Sequence, residues 1–149
     1  MNKIKGNLIT FAMGRNAQVI VHGCNCFNTW GAGLARQMRQ QFPDAYAADL
    51  ATLRGDSAKL GTYSWARCPV PGGSVVVVNA YTQYRYGRDR RHADYDAIGS
   101  VFTSIASHFG QYSIAYPMIG AGLAGGEWSI IEPIIDGALS GCDHTLIFQ

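Results

Sequence analysis

The sequence predicts an α/β fold, a three-layer sandwich in which helices cover both faces of a central sheet of about six strands. Strand-like and helix-like segments alternate along the chain, which is typical of α/β proteins. Several strand-like segments are continuous apolar runs, such as residues 75–78, and such runs indicate strands that are buried on both faces. With 149 residues, of which 48% are hydrophobic, the chain is expected to form one domain over residues 1–149.

The apolar patterns place the individual elements. Strands are expected at residues 4–11, 19–23, 62–68, 74–81, 112–117 and 144–148. Helices are expected at residues 32–42, 45–53, 94–109 and 128–139. Pro43 should end or redirect the first of these helices, and Pro133 favours a start of the last one near Glu132.

Charge and cysteine content narrow the class of function. The formal net charge of +2 gives no support to nucleic acid as a required partner. The four cysteines lack the C-x-x-C spacing of a zinc site, so we expect buried, reduced thiols, no metal and no cofactor. No apolar run approaches the ~20 residues of a membrane span, and no cleaved leader is evident. We therefore expect a cytoplasmic monomer that contacts no membrane.

Two glycine-rich turns are the most informative feature of the chain. Residues 19–35 read V-I-V-H-G-C-N-C-F-N-T-W-G-A-G-L-A, and residues 114–128 read I-A-Y-P-M-I-G-A-G-L-A-G-G-E-W. Each turn follows an apolar strand and opens an amphipathic helix, so it directs unpaired backbone N–H groups and a helix dipole at one point. Two such turns predict a pocket for two linked phosphates.

The first turn also has a structural explanation that requires no ligand. In the first turn, the carboxamides of Asn25 and Asn28 suit ribose hydroxyls, but both residues also form turns, and Gly31-Ala32-Gly33 also suits tight packing. The spacing matches neither a P-loop nor a dinucleotide fingerprint. The second turn favours a ligand, because each glycine of residues 120–126 costs conformational entropy when it is ordered.

Both turns, with the upstream K-G-N-L of residues 5–8, resemble the macrodomain family over nearly the whole chain. The H-x-C-N-C segment, the W-G-x-G-L-A turn and Trp128 are similar to yeast-type ADP-ribose 1''-phosphate phosphatases and related bacterial and phage proteins. The resemblance implies a mixed central sheet and ADP-ribose in a cleft at the strand ends. It places the pyrophosphate between the glycine turns, the distal ribose near Asn25 and adenine near Asn7 and Leu8.

The expected ligand-binding residues are Asn7, Leu8, Asn25, Asn28, Gly31, Ala32, Gly33, Leu34, Tyr81, Gly120, Ala121, Gly122, Leu123, Ala124 and Gly125. Many macrodomains carry Asp at the position of Asn7, whose amide oxygen can still accept a hydrogen bond from adenine. A related branch that removes ADP-ribose from glutamate uses a Lys and an Asp where this chain has Gln83 and Ala124. The resemblance therefore favours the phosphatase branch.

Two residues are candidates for acid–base catalysis. His22 ends the strand that leads to Asn25, and the resemblance to the phosphatases selects the same position. An imidazole can move a proton near neutral pH, although a histidine in an apolar strand can equally be a hydrogen-bonded core residue. Glu127 is the second candidate, and it can equally be an anion that favours a helix N-terminus.

An aromatic and basic stretch, residues 81–95, is the last feature. Its arginines suit a terminal phosphate or single-stranded nucleic acid, and they also suit a solvated loop before a helix capped by Asp94. They are Arg85, Arg88, Arg90 and Arg91.

Three functions remain open. The first is hydrolysis of ADP-ribose 1''-phosphate to ADP-ribose and phosphate. The others are removal of ADP-ribose from modified protein or nucleic acid, and non-catalytic binding of ADP-ribose as a reader or sponge.

Overall fold

A six-stranded sheet forms the middle layer of the protein in the computed structural model, which describes residues 1–149. The strands are β1 (Asn2–Lys5), β2 (Val19–Cys24), β3 (Tyr63–Val70), β4 (Gly73–Tyr81), β5 (Ile114–Tyr116) and β6 (His144–Phe148). Their order across the sheet is β1-β6-β5-β2-β4-β3. All neighbouring strands are parallel except β3 and β4, so the sheet is mixed, as expected.

Five helices form the outer layers. They are α1 (Leu8–Met13), α2 (Gly33–Gln41), α3 (Pro43–Leu50), α4 (Tyr95–Phe109) and α5 (Trp128–Ala138). Helices α1, α2 and α3 pack on one face of the sheet, and α4 and α5 pack on the other. Along β4, Val75 and Val77 pack in the core on the side of α1, α2 and α3, whereas Val76 and Val78 pack in the core on the side of α4 and α5. The apolar run is therefore buried on both faces, which confirms the three-layer prediction.

The prediction of a strand over residues 4–11 was wrong. The strand ends at Lys5, and Asn7 begins a helix by accepting a hydrogen bond from the Thr10 backbone N–H at 3.1 Å. An asparagine side chain at the N-cap accepts a hydrogen bond from a backbone N–H of the first helical turn that would otherwise be unpaired. This capping favours a helix here, in spite of the apolar pattern that predicted a continuous strand.

Of the two predictions based on prolines, one is confirmed and one is wrong. Pro43 separates two helices, as predicted, because α2 ends at Gln41 and Pro43 is the first residue of α3. The expectation of a helix start near Glu132 was wrong, because α5 begins at Trp128 and contains Pro133.

The topology positions the functional site. The five parallel strands direct their carboxyl ends to one edge of the sheet, where ligands of open α/β sheets bind. The segments that follow β2, β4 and β5 meet at this edge. None of the five helices is long and apolar enough to cross a membrane.

Candidate ligand-binding cleft

A cleft of about 610 Å³ lies at the carboxyl ends of β2, β4 and β5. Three chain segments form it, residues 22–35 from β2 into α2, residues 83–88 after β4 and residues 117–124 after β5. This volume lies within the range of small-molecule sites, which is roughly 300–1,000 Å³. Both glycine-rich turns line the same cleft, so the structure brings the two predicted halves of the pocket together.

The first turn presents the N-terminus of α2 to the cleft. Ala32 occupies the N-cap position and supplies no side-chain hydrogen bond. The N–H groups of Gly33, Leu34 and Ala35 consequently donate to no group of the protein, and all three residues line the cleft. Unpaired N–H groups at a helix N-terminus form a site for an anion.

The second turn is closed by its own backbone. The N–H of Gly126 donates to the carbonyl of Gly120 at 2.7 Å, and the N–H of Gly125 donates to the carbonyl of Gly122 at 3.1 Å. The N–H groups of Gly122, Leu123 and Ala124, which line the cleft, donate to no group of the protein. The turn therefore offers a second run of free donors.

The positions of the second turn differ in how strongly the structure requires a glycine. Gly120 has a φ of +78°, and a Cβ there would lie 3.1 Å from Ile131 Cδ1, so packing and backbone conformation both disfavour a larger residue. At Gly122, no atom outside the two adjacent residues lies within 4 Å of the position that a Cβ would take. The fold accounts for Gly120, whereas packing does not require glycine at Gly122, which lines the cleft.

The two turns approach each other across the cleft. A Cβ on Gly33 of the first turn would lie 3.6 Å from Leu123 Cδ1 of the second. An adjoining cavity of about 440 Å³ shares Gly33 and Leu34 with the cleft and extends to Asn7 and Leu8. The Asn7 oxygen caps α1, but its Nδ2 donates to no group of the protein.

Five predicted site residues lie outside the lining of both cavities. They are Asn28, Tyr81, Ala121, Gly125 and Glu127. Glu127 is exposed at the N-cap of α5, where its side chain makes no capping hydrogen bond. The structure therefore does not bring Glu127 to the cleft as an acid or base.

Asn28 and Tyr81 belong to a buried polar network behind the first turn. The network comprises Asn28, Trp30, Asp49, Lys59 and Tyr81. Asp49, which is fully buried, accepts hydrogen bonds from the Trp30 indole at 2.9 Å and from the Tyr81 hydroxyl at 2.6 Å. The Lys59 ammonium donates to Asn28 Oδ1 at 2.8 Å and lies 4.8 Å from the centre of the Tyr81 ring. Burial and the hydrogen bond to Asp49 raise the pKa of Tyr81.

Asn25 lines the cleft, but its carboxamide is largely used within the turn. Its Oδ1 accepts from the backbone N–H of Phe27 at 2.8 Å, and its Nδ2 donates to the carbonyl of Thr29 at 2.9 Å. The turn-forming alternative is therefore realised in the structure. Contact with a ligand through the second hydrogen of the amide is compatible with this geometry.

His22 lies at the floor of the cleft and is only 1% exposed. Asn79 Nδ2 donates to the carbonyl of Ala45, which places Asn79 Oδ1 2.8 Å from His22 Nε2 as an acceptor. This contact assigns the proton of the neutral imidazole to Nε2 and leaves Nδ1 as an acceptor; Cys24 Sγ lies 3.6 Å from Nε2 and 3.8 Å from Nδ1. Burial lowers the pKa of His22 to about 4, and the hydrogen bond to Asn79 offsets part of this lowering.

The cleft contains no carboxyl group, because none of its 22 lining residues is Asp or Glu. Arg88 is the one Lys or Arg among them. Sequence reasoning did not select Tyr86, Pro117 or Met118, which also line the cleft. Their positions directly after β4 and β5 were the available signal, because strand ends meet at this edge. Burial of the cysteines was expected, and Cys24, Cys26 and Cys68 are buried whereas Cys142 is half-buried.

The chain matches no protein-family model, but individual relatives are similar to it. An uncharacterized 17.5 kDa protein of the tk-vs intergenic region of Enterobacteria phage T4 is 39% identical over 140 residues, which cover 89% of this chain and 86% of the phage protein. The ADP-ribose 1''-phosphate phosphatase of Saccharomyces cerevisiae is 22% identical over 173 residues, with 98% of this chain and 96% of the yeast protein covered.

Solved structures agree with these relatives. A macrodomain protein from Streptomyces coelicolor is 28% identical with a TM-score of 0.66, and the match covers 88% of this chain and 86% of that one. Thermosipho africanus DarTG, solved in complex with ADP-ribose, has a TM-score of 0.76 at 19% identity and shows likeness of fold. That match covers 100% of this chain and 42% of DarTG. On its relatives and its fold, the chain belongs to the macrodomain family.

Proposed function

We propose that the protein binds ADP-ribose derivatives in the cleft and hydrolyses ADP-ribose 1''-phosphate to ADP-ribose and inorganic phosphate. The observation that carries the proposal is the pair of facing turns, each with three successive backbone N–H groups that have no partner in the protein. The yeast relative carries the name of this activity, and DarTG was solved with ADP-ribose.

The shape of the site supports a long ligand with phosphates in its middle. Gly33 and Leu34 border both cavities, so the α2 N-terminus lies between the smaller cavity and the main cleft. A pyrophosphate at these N–H groups would extend its adenosine toward Asn7 and its distal ribose toward Asn25. Backbone donors suit this role because they are held in place before the ligand arrives.

The proposed reaction is hydrolysis of a phosphate monoester. The oxygen of a water forms a bond to phosphorus, and the bond between phosphorus and the anomeric oxygen breaks. One proton of the water ends on the anomeric oxygen, and the other stays on inorganic phosphate. Because no carboxyl group lines the cleft, we assign transfer of the first proton to Nδ1 of His22. A histidine with a pKa of about 4 is neutral at neutral pH, so with Nε2 carrying its one proton, Nδ1 can accept a proton from the water and pass it to the anomeric oxygen.

Calorimetry with ADP-ribose and an assay of phosphate released from ADP-ribose 1''-phosphate test the two parts of the proposal. The binding measurement compares the unmodified protein with Gly122→Glu, which introduces a negative charge into the open space at the proposed phosphate site. We expect this variant to weaken ADP-ribose binding by about 100-fold or more, because like charges in one site cost several kcal/mol. The matched control is Gly137→Glu, on the exposed side of α5, where a Cβ also meets no atom within 4 Å.

The outcomes separate binding from catalysis. Binding of ADP-ribose that Gly122→Glu abolishes and Gly137→Glu preserves supports the site, and phosphate release supports the reaction. Binding without phosphate release contradicts the phosphatase and favours a reader or sponge of ADP-ribose. Absence of ADP-ribose binding by the unmodified protein overturns the whole proposal.

A further inference from the structure

We infer that Arg88 is the residue that distinguishes a ligand with a terminal phosphomonoester from the same ligand without it. This inference rests on the proposed function and names the specificity determinant of that same cleft. Arg88 is exposed, lines the cleft and forms no ion pair or side-chain hydrogen bond within the protein. A guanidinium with no partner in a cleft that lacks carboxyl groups is placed to receive an anion.

The structure selects Arg88 from four arginines that the sequence could not separate. The guanidinium of Arg85 lies over the Phe27 ring, 4.9 Å from its centre, and that of Arg91 lies 4.3 Å from the centre of the Tyr95 ring. Arg90 does not line the cleft. Arg88 alone has both access to the cleft and an uncommitted guanidinium.

The carboxyl group of the adjacent residue, Asp89, forms no ion pair with Arg88. Asp89 Oδ1 lies 2.8 Å from His92 Nε2, and no ion pair joins Asp89 to any arginine. The His92 side chain is itself only 4% exposed, so its position is fixed by the surrounding protein. The charge of Arg88 therefore remains available to a ligand.

The position of Arg88 along the cleft indicates which phosphate it binds. Arg88 follows β4, whereas Asn7 and Leu8 of the adjoining cavity follow β1, and β6, β5 and β2 separate those strands in the sheet. The free N–H groups of both turns occupy the middle of this path. Arg88 thus lies at the opposite end from the adenosine cavity, beyond the pyrophosphate site. An anion on the distal ribose would extend toward this end of the cleft.

The experiment compares Arg88→Gln with Arg90→Gln, a matched control in the same segment. For ADP-ribose, calorimetry should give less than about a 2-fold change in Kd for both variants. For ADP-ribose 1''-phosphate, Arg88→Gln should lower kcat/KM by about 10- to 100-fold, because hydrogen bonds to charged groups contribute about 1.5–3 kcal/mol. If the unmodified protein releases no phosphate, the Kd for this stable ligand takes the place of kcat/KM.

Each result decides the inference. A loss confined to the 1''-phosphate and to Arg88→Gln supports it, and partial recovery in Arg88→Lys, which keeps the charge without the planar fork, strengthens it. Equal losses for both ligands, or equal effects of Arg88→Gln and Arg90→Gln, overturn it while leaving the proposed function intact. Failure of the unmodified protein to bind ADP-ribose overturns both.

Discussion

The two glycine-rich turns face the same cleft but are held in different ways. The first turn rests on side chains from distant parts of the chain, since Asp49 binds Trp30 and Lys59 binds Asn28. The second turn is closed by hydrogen bonds between its own backbone groups, such as that between Gly126 and Gly120. Similar arrays of free N–H groups therefore depend on a buried polar network in one turn and on local backbone conformation in the other.

This difference has consequences for mutation. A buried polar network fails when one partner is removed, because the remaining donors and acceptors are left without partners in a place that water does not reach. A glycine turn fails only where a side chain cannot be accommodated, as at Gly120, and tolerates change at an open position such as Gly122. Stability should therefore be sensitive to the first turn, and ligand binding to both turns.

The largest effect on stability is expected for Asp49→Ala. This change leaves the buried Trp30 indole N–H without its acceptor and removes one partner of the Tyr81 hydroxyl. We expect the free energy of unfolding to fall by about 2–5 kcal/mol in urea denaturation. The comparison variant is Gly122→Ala in the second turn, which should change stability by less than about 0.5 kcal/mol. Equal effects of the two changes would remove the distinction between the turns.

Acid should weaken the protein through His22, which packs under the first turn with its ring centre 4.6 Å from that of Trp30. Its pKa is about 4 in the folded protein, against an ordinary value of 6.5, so the unfolded chain binds the proton more readily. Stability is therefore fully present above pH 6.5 and falls as the pH drops toward 4, by on the order of 3 kcal/mol.

Urea denaturation between pH 7 and pH 4 tests this pH dependence. In His22→Gln, the free energy of unfolding should decrease less between pH 7 and pH 4, because only the remaining groups titrate. Among them is His144, whose pKa is also lowered by burial. An identical pH dependence in the variant and the parent would show that His22 is already protonated in the fold or does not differ from the unfolded chain.

The smallest of these effects is expected for Asn25→Ala. The change removes hydrogen bonds to Phe27 and Thr29 and any contact to a distal ribose, so ADP-ribose affinity should fall by about 1–3 kcal/mol. Adenosine monophosphate lacks that ribose, and its affinity should change little. Equal losses for the two nucleotides would show that Asn25 acts only by shaping the first turn.

Features that depend on local sequence could be predicted, whereas features that depend on contacts between distant residues could not. The layers, the order of strands and helices and the two glycine turns could be predicted, because they depend on local periodicity and local backbone conformation. The helix at Leu8–Met13 was missed because a single capping residue, Asn7, outweighs a short apolar pattern. The buried polar network joins residues from Asn28 to Tyr81, and the choice of Arg88 among four arginines depends on packing, so neither has a local signal.

An NMR titration of the ¹⁵N-labelled protein with ADP-ribose tests the two-turn site most directly, because it reports on each backbone N–H group. We expect the largest amide shifts to fall in two groups, Gly33 to Ala35 at the start of α2 and Gly122 to Ala124 in the second turn. These are the groups that line the cleft and have no partner in the protein. Shifts confined to one turn, or centred away from the cleft, would contradict the claim that two facing turns hold one pyrophosphate.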